Sequence, residues 1–149
     1  DRFTVRISMG YPDFDAECQM LLNRSKQNPL DNVKQVITVD ELIDMQSKVK
    51  EVFVSEDMAK YIVMLVTATR QSSLFSRGAS PRATLSLKDM AKAAAFADGR
   101  DYIVPRDIQN IFVRTISHRV ILSSESTAKR INTDSALKEI LRTTRQPKI

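Results

Sequence analysis

The chain has 149 residues, 42% of them hydrophobic and 28% charged, with a net charge of +5, a soluble-globular balance with length for one ordinary domain. No apolar run approaches the roughly 20 residues that span a bilayer. One cysteine excludes an internal disulfide, and the single histidine, His118, has no Cys or His at metal-ligand spacing, so no metal site is expected.

"FTVRISMG" alternates Phe3, Val5, Ile7 and Met9 against Thr4, Arg6 and Ser8, the pattern of a strand with one buried face. No second strand of similar length follows, and a lone strand leaves its backbone groups without partners. Residues 1–10 therefore read as part of a sheet outside this sequence. A chain that opens on "DRF", with no signal-peptide layout, reads as cut from something longer. "GYPD" is a hinge, and Asp13 caps a helix over about 13–27 with the stripe Phe14, Cys18, Leu21 and Leu22. Cys18 reads as a small core residue, and lone-cysteine usage fits a reducing compartment, the cytoplasm.

"NPLDN" is a loop. Thr38 with Glu41 forms a capping box, with Ile37 and Leu42 as a staple, before a helix whose stripe is Leu42, Met45, Val49, Val52 and Phe53. Ser55 caps the next helix, where Met58, Tyr61, Ile62, Leu65 and Val66 recur at core-facing spacing. The polar run "TRQSSLFSRG" ends it and Gly78 is a break. A helix from Pro81 to about Ala97 follows, with Gly99 suited to the left-handed C′ position. Pro105 opens a helix with the stripe Ile108, Ile111, Phe112, Thr115 and Ile116. "SSEST" reads as a loop. A final helix presents Leu137, Ile140 and Leu141, and the tail "RQPKI" frays. "VFV" (52–54) and "YIV" (102–104) are extended lead-ins that pair as a tiny two-stranded element. The fold class expected is an all-α bundle of five to six helices behind one N-terminal β-strand.

Charge is uneven. Residues 1–75 hold 9 Lys+Arg against 11 Asp+Glu, whereas 76–149 hold 14 against 7. A basic half faces phosphate, nucleic acid, an acidic neighbour, or solvent as a mixed surface. "GASPRATL" (78–85) narrows the choice. Ser80 is a good N-cap and Pro81 prefers the first helical position, which places Arg82 second. A cation there opposes the helix dipole, and becomes favourable when an anion meets both the unpaired N–H groups and the guanidinium. No catalytic set accompanies it: no GxxxxGK[ST] loop, no HExxH, no acidic cluster for magnesium and no triad around His118. Any phosphate at Arg82 needs further ligands from elsewhere.

"DRF" at 1–3, "MGYP" at 9–12, "GASPRATLSL" at 78–87, "AFADGRDYIVPRDI" at 95–108 and "SHRVILS" at 117–123 stand in an order that resembles the C-terminal part of MoxR-family AAA+ ATPases. The resemblance spans about 120 of the 149 residues. It implies that residues 1–10 are the end of the ATPase core and 11–149 a helical lid. It further implies that Arg82 is the sensor-2 residue for the γ-phosphate of ATP held, with magnesium, by the same subunit's core. Arg2 becomes the arginine finger toward the neighbouring subunit of a ring, typically hexameric, and Gly10, Tyr11 and Pro12 the junction near the adenine. Walker A, Walker B and sensor 1 are absent, so this chain alone is expected to be inactive, while the whole protein hydrolyses ATP. Chaperone-like remodelling, cofactor or metal insertion and von Willebrand factor A-domain partners are implied likewise, with no membrane or nucleic acid. A rival reading is a helical nucleic-acid-binding module that uses the basic half.

Overall fold

The computed structural model describes residues 2–24 and 28–147, and the chain divides into two compact units, Asp1–Arg6 with Gln46–Ile149, and Ile7–Met45. The elements in order are α1 (Phe14–Arg24), a 3₁₀ turn (Pro29–Asn32), α2 (Val39–Glu51), α3 (Glu56–Gln71), β1 (Phe75–Arg77) and α4 (Pro81–Ala97). They continue with α5 (Pro105–Ile116), a 3₁₀ turn (Ser117–Arg119), β2 (Ile121–Leu122), α6 (Ser124–Ala128) and α7 (Thr133–Thr143). Among the described residues no helix is long and apolar enough to cross a membrane.

The larger unit is a helical bundle built where the apolar periodicity predicts. Met58, Tyr61, Ile62, Leu65 and Val66 of α3 are buried, as are Ile108, Phe112 and Ile116 of α5 and Leu137 and Ile140 of α7. α4 gives its inner face to Ala83, Leu87, Ala91 and Ala95, all fully buried. Three alanines in that row let α5 approach closely, and α4–α5 is the most extensive helix contact. Tyr61 carries a polar tip into this core and its hydroxyl accepts from Gln109 Nε2 at 3.2 Å.

Helix boundaries follow local chemistry. The Ser55 hydroxyl accepts from Met58 N at 3.3 Å, and Asn132 Oδ1 accepts from Asp134 N at 2.7 Å. α4 ends in a Schellman motif: Gly99, at φ +75°, donates to Phe96 O at 2.9 Å and Arg100 N donates to Ala95 O at 2.9 Å. That turn aims Arg100 at α5. Its Nη1 and Nη2 donate to Asp107 Oδ2 and Oδ1 at 2.8 and 2.6 Å, and Val104 N donates to Oδ2 at 2.8 Å. Burial pushes the Asp107 carboxyl pKa up, but the Arg100 hydrogen bonds, the Val104 N–H and the charges of Arg100 and Arg106 hold it below the usual value. The same bonds raise the Arg100 pKa further.

The smaller unit departs from expectation. Asp13 caps α1 through Ala16 N at 2.8 Å, and Thr38 and Glu41 make the capping box at 2.6 and 3.2 Å. Yet Phe14, Leu21 and Leu22 are exposed, Cys18 is half-buried rather than core, and α2 buries no residue. The stripe proposed from Leu42 to Phe53 buries only Val52, beyond the end of α2. α2 belongs to both units, since the division falls within it between Met45 and Gln46. The expected end of the first helix, 25–27, and the last residues of the tail lie outside the described residues.

Residues 2–10 form no strand, and Phe3, Ile7 and Met9 of the face expected to be buried are exposed. Phe53 and Tyr102 form the expected small pairing as one parallel bridge. Two features are corrections. Residues 75–77 pair antiparallel with 121–122, where only a polar run was read, and "SSEST" is a short helix. Ser123 nucleates that helix by accepting from Ser126 N at 3.3 Å, a role that its loop-like composition conceals.

Candidate functional site

The start of α4 is fixed from α3. An added Cβ on Gly78 would lie 2.5 Å from Arg70 Cα and 2.7 Å from Thr69 C, so only glycine lets the two backbones touch here. Ala79 is then held on both sides of its peptide. Its N–H donates to Thr69 Oγ1 at 3.0 Å, and its carbonyl accepts from Arg70 Nε at 2.6 Å. Thr69 Oγ1 in turn donates to Val66 O at 2.6 Å. Ser80 takes the N-cap position with extended backbone, and its carbonyl, rather than its hydroxyl, receives Ala83 N at 2.9 Å. Pro81 opens the helix and Arg82 follows, exposed, in a first turn with no acidic residue.

The β1–β2 pairing brings a second arginine to this place. Gly78 directly follows β1, and Arg119 stands two residues before β2; Arg77 lies opposite Ile121. Arg119 is 6% exposed. Burial, and after it the charge of Arg82, lower its pKa. Arg119 Nη2 donates to Phe3 O at 2.6 Å, and His118 Nε2 lies 2.8 Å from the same oxygen. A carbonyl only accepts, so His118 carries its proton on Nε2. That tautomer cannot accept from Arg119 Nε, 3.3 Å away, and it leaves the buried Nδ1 without a hydrogen-bond partner. Arg6 N donates to Arg114 O at 2.9 Å, a further tie between the first residues and the end of α5.

This arrangement gathers positive charge where the helix dipole is also positive, which suits a phosphate group and repels a cation. Among the described residues no cluster of His, Cys, Asp and Glu could hold a metal ion.

The description of the AAA lid domain family matches residues 67–140, the stretch that contains the whole of this arginine site from Thr69 to Arg119. The chain is 33% identical over 147 residues to the uncharacterized protein YeaC of Bacillus subtilis, covering 99% of this chain and 46% of that protein. It is 28% identical over 158 residues to the chaperone MoxR1 of Mycobacterium tuberculosis, covering all of this chain and 41% of that protein. A crystal structure of a "putative ATPase" from Cytophaga hutchinsonii superposes with a TM-score of 0.87 at 32% identity, over 99% of this chain and 47% of that one. The chain carries an AAA+ lid of the MoxR type. It spans less than half the length of each of these relatives.

The predicted residues of this MoxR-type chain fall in different places. Arg82 sits at the arginine site. Arg2 is exposed, one residue before the carbonyl that His118 and Arg119 hold. Gly10, Tyr11 and Pro12 belong to the smaller unit and are exposed, with Gly10 at φ +68°. Sequence reading missed Thr69, Arg70 and Arg119. The signal for Arg119 was the "SHR" of residues 117–119, to which no role was attached. Thr69 and Arg70 had none, because their bonds reach across a turn to a backbone peptide.

Proposed function

We propose that this lid contributes Arg82 as the sensor-2 arginine of a MoxR-type AAA+ ATPase, where it meets the phosphates of Mg-ATP held by an ATPase core. The observation that carries the reading is the exposed Arg82 on the first turn of α4, in a turn without an acid, with buried Arg119 connected to it through the β1–β2 pairing. Residues 1–10 serve as the end of the core, with Arg2 as the finger for a neighbouring subunit in a hexameric ring. Gly10, Tyr11 and Pro12 form the hinge by the adenine. Such fingers are worth roughly 10³–10⁵-fold in phosphoryl transfer. Loss of the Arg82 contact after hydrolysis biases the hinge, which couples turnover to remodelling of a client protein or insertion of its cofactor or metal. A von Willebrand factor A-domain protein is the partner implied, and the cytoplasm the compartment.

In the full-length protein, Arg82→Ala lowers ATP turnover by at least ~10²-fold while the fold survives, because the side chain is exposed. Wild-type turnover in that variant would overturn the reading. The nucleic-acid alternative loses support from α5, whose apolar stripe is core, and from Arg100, Lys129 and Arg142, each ion-paired. Steeply salt-dependent DNA affinity of this chain would favour that alternative.

A further inference from the structure

The grip on the Phe3 carbonyl is part of no function assigned above. Two consecutive side chains, His118 and Arg119, donate to one backbone oxygen that lies outside any helix or sheet. A carbonyl has two lone pairs, and both are taken. With Arg6 N on Arg114 O, the segment is held at two points three residues apart. The first six residues accordingly group with the lid helices and not with the residues that directly follow them.

From this geometry we propose that Arg119, assisted by His118, is a positioning residue that ties the segment bearing Arg2 to the end of the lid bearing Arg82. The proposal rests on the roles given to Arg82 and Arg2 above. It adds that the two arginines act as one mechanical unit within a chain. The link between them runs through the β1–β2 pairing, which joins the strand just before Gly78 to the strand just after Arg119. The nucleotide of one subunit thereby sets the placement of the arginine offered to the next. Arg119 touches neither nucleotide, and acts only through Phe3.

The test uses the full-length ATPase with Arg2→Ala, Arg119→Ala, Arg119→Lys, His118→Ala and the Arg2→Ala/Arg119→Ala double variant. Misplacing a catalytic group by about 1 Å costs roughly 10²-fold, so kcat falls by about that factor in Arg119→Ala while KM for ATP stays within about twofold. Arg119→Lys regains most of the rate, because an ammonium reaches the same carbonyl. The double variant is no slower than Arg2→Ala alone. Independent losses that multiply, or normal kcat in Arg119→Ala with Arg2→Ala impaired, overturn the positioning role and leave the sensor-2 reading intact. Normal turnover in both Arg2→Ala and Arg82→Ala overturns the underlying reading and the coupling with it. Amide exchange at Arg6 supplies a readout apart from turnover, and covers the case in which Arg119→Ala does not fold. It speeds by about tenfold or more in His118→Ala and slows when wild-type protein binds ATP. Arg6 exchange that ignores both changes overturns the proposal.

Discussion

Replacing Asp107 with Ala tests whether the α4–α5 connection is held by charge. The variant removes three acceptor contacts, to Arg100 Nη1, Arg100 Nη2 and Val104 N, at 2.8, 2.6 and 2.8 Å. Breaking one partner of a buried ion pair costs about 3–5 kcal/mol. Arg100 keeps its bonds to Asp98 and to the Tyr102 carbonyl, both at 3.0 Å, and its side chain is 24% exposed, so its charge is not stranded. The low end, about 3 kcal/mol, is therefore expected, or a Tm lower by roughly 6–12 °C for a chain of this size. Circular dichroism melts and urea unfolding at pH 7 measure both. The pH dependence is a second check. The folded pKa of Asp107 lies below its unfolded value of 3.8, so its stabilisation is complete above the unfolded value and is lost as pH falls through the folded one. The gap between wild type and variant is flat from about pH 7 to 5 and narrows below about pH 4. A Tm change under about 2 °C at pH 7, or a gap that stays constant in acid, would refute the reasoning.

Gly78→Ala brings a Cβ within 2.5–2.7 Å of α3 backbone, which cannot yield as a flexible side chain does. It costs about 2–3 kcal/mol in urea unfolding and, by freeing Ala79 from Thr69 and Arg70, lowers ATP turnover of the full-length protein well below its unfolding temperature. Thr69→Val leaves the buried Ala79 N–H without its acceptor and costs about 1–3 kcal/mol, whereas Thr69→Ser retains most of the stability. Equal melting temperatures for the Val and Ser variants would show that the hydroxyl carries no such role.

Much of the bundle was legible because its determinants are local. Ser55, Pro81, Gly99 and Pro105 mark helix ends through backbone geometry that each residue type imposes within one turn. The α3 stripe from Met58 to Val66 needed only period counting. What escaped is tertiary. β1 and β2 are three and two residues long, too short for alternation to register, and pair because the helices around them bring them together. Arg100 and Asp107 are seven residues apart but share no helix, since Arg100 lies between α4 and α5, and they meet only because the Schellman turn redirects the chain. Arg82 was legible as an anion-ready position from "SPR" alone. Its neighbour Arg119 was not, because the two stand on either side of the whole α4–α5 hairpin. Cys18 on the α1 stripe reads as core and is half-buried, since periodicity reports a sticky face and never what lies against it.

The β1–β2 pairing also has a kinetic meaning. It joins positions 46 residues apart, whereas the helix caps around it close over three or four. Contacts of that span carry a larger closure entropy and form after local ones. Phe75 and Val120 belong to the same buried core as Leu65, Leu87 and Phe112, and Leu74 and Leu122 pack against it, so the pair closes together with the bundle. The start of α4 is fixed to α3 through Gly78 and Ala79, and Arg119 is buried in the turn that follows α5, so Arg82 and Arg119 stay in place as long as the bundle does. The site is thus completed by long-range contacts and is a product of the whole bundle, not of any one local segment.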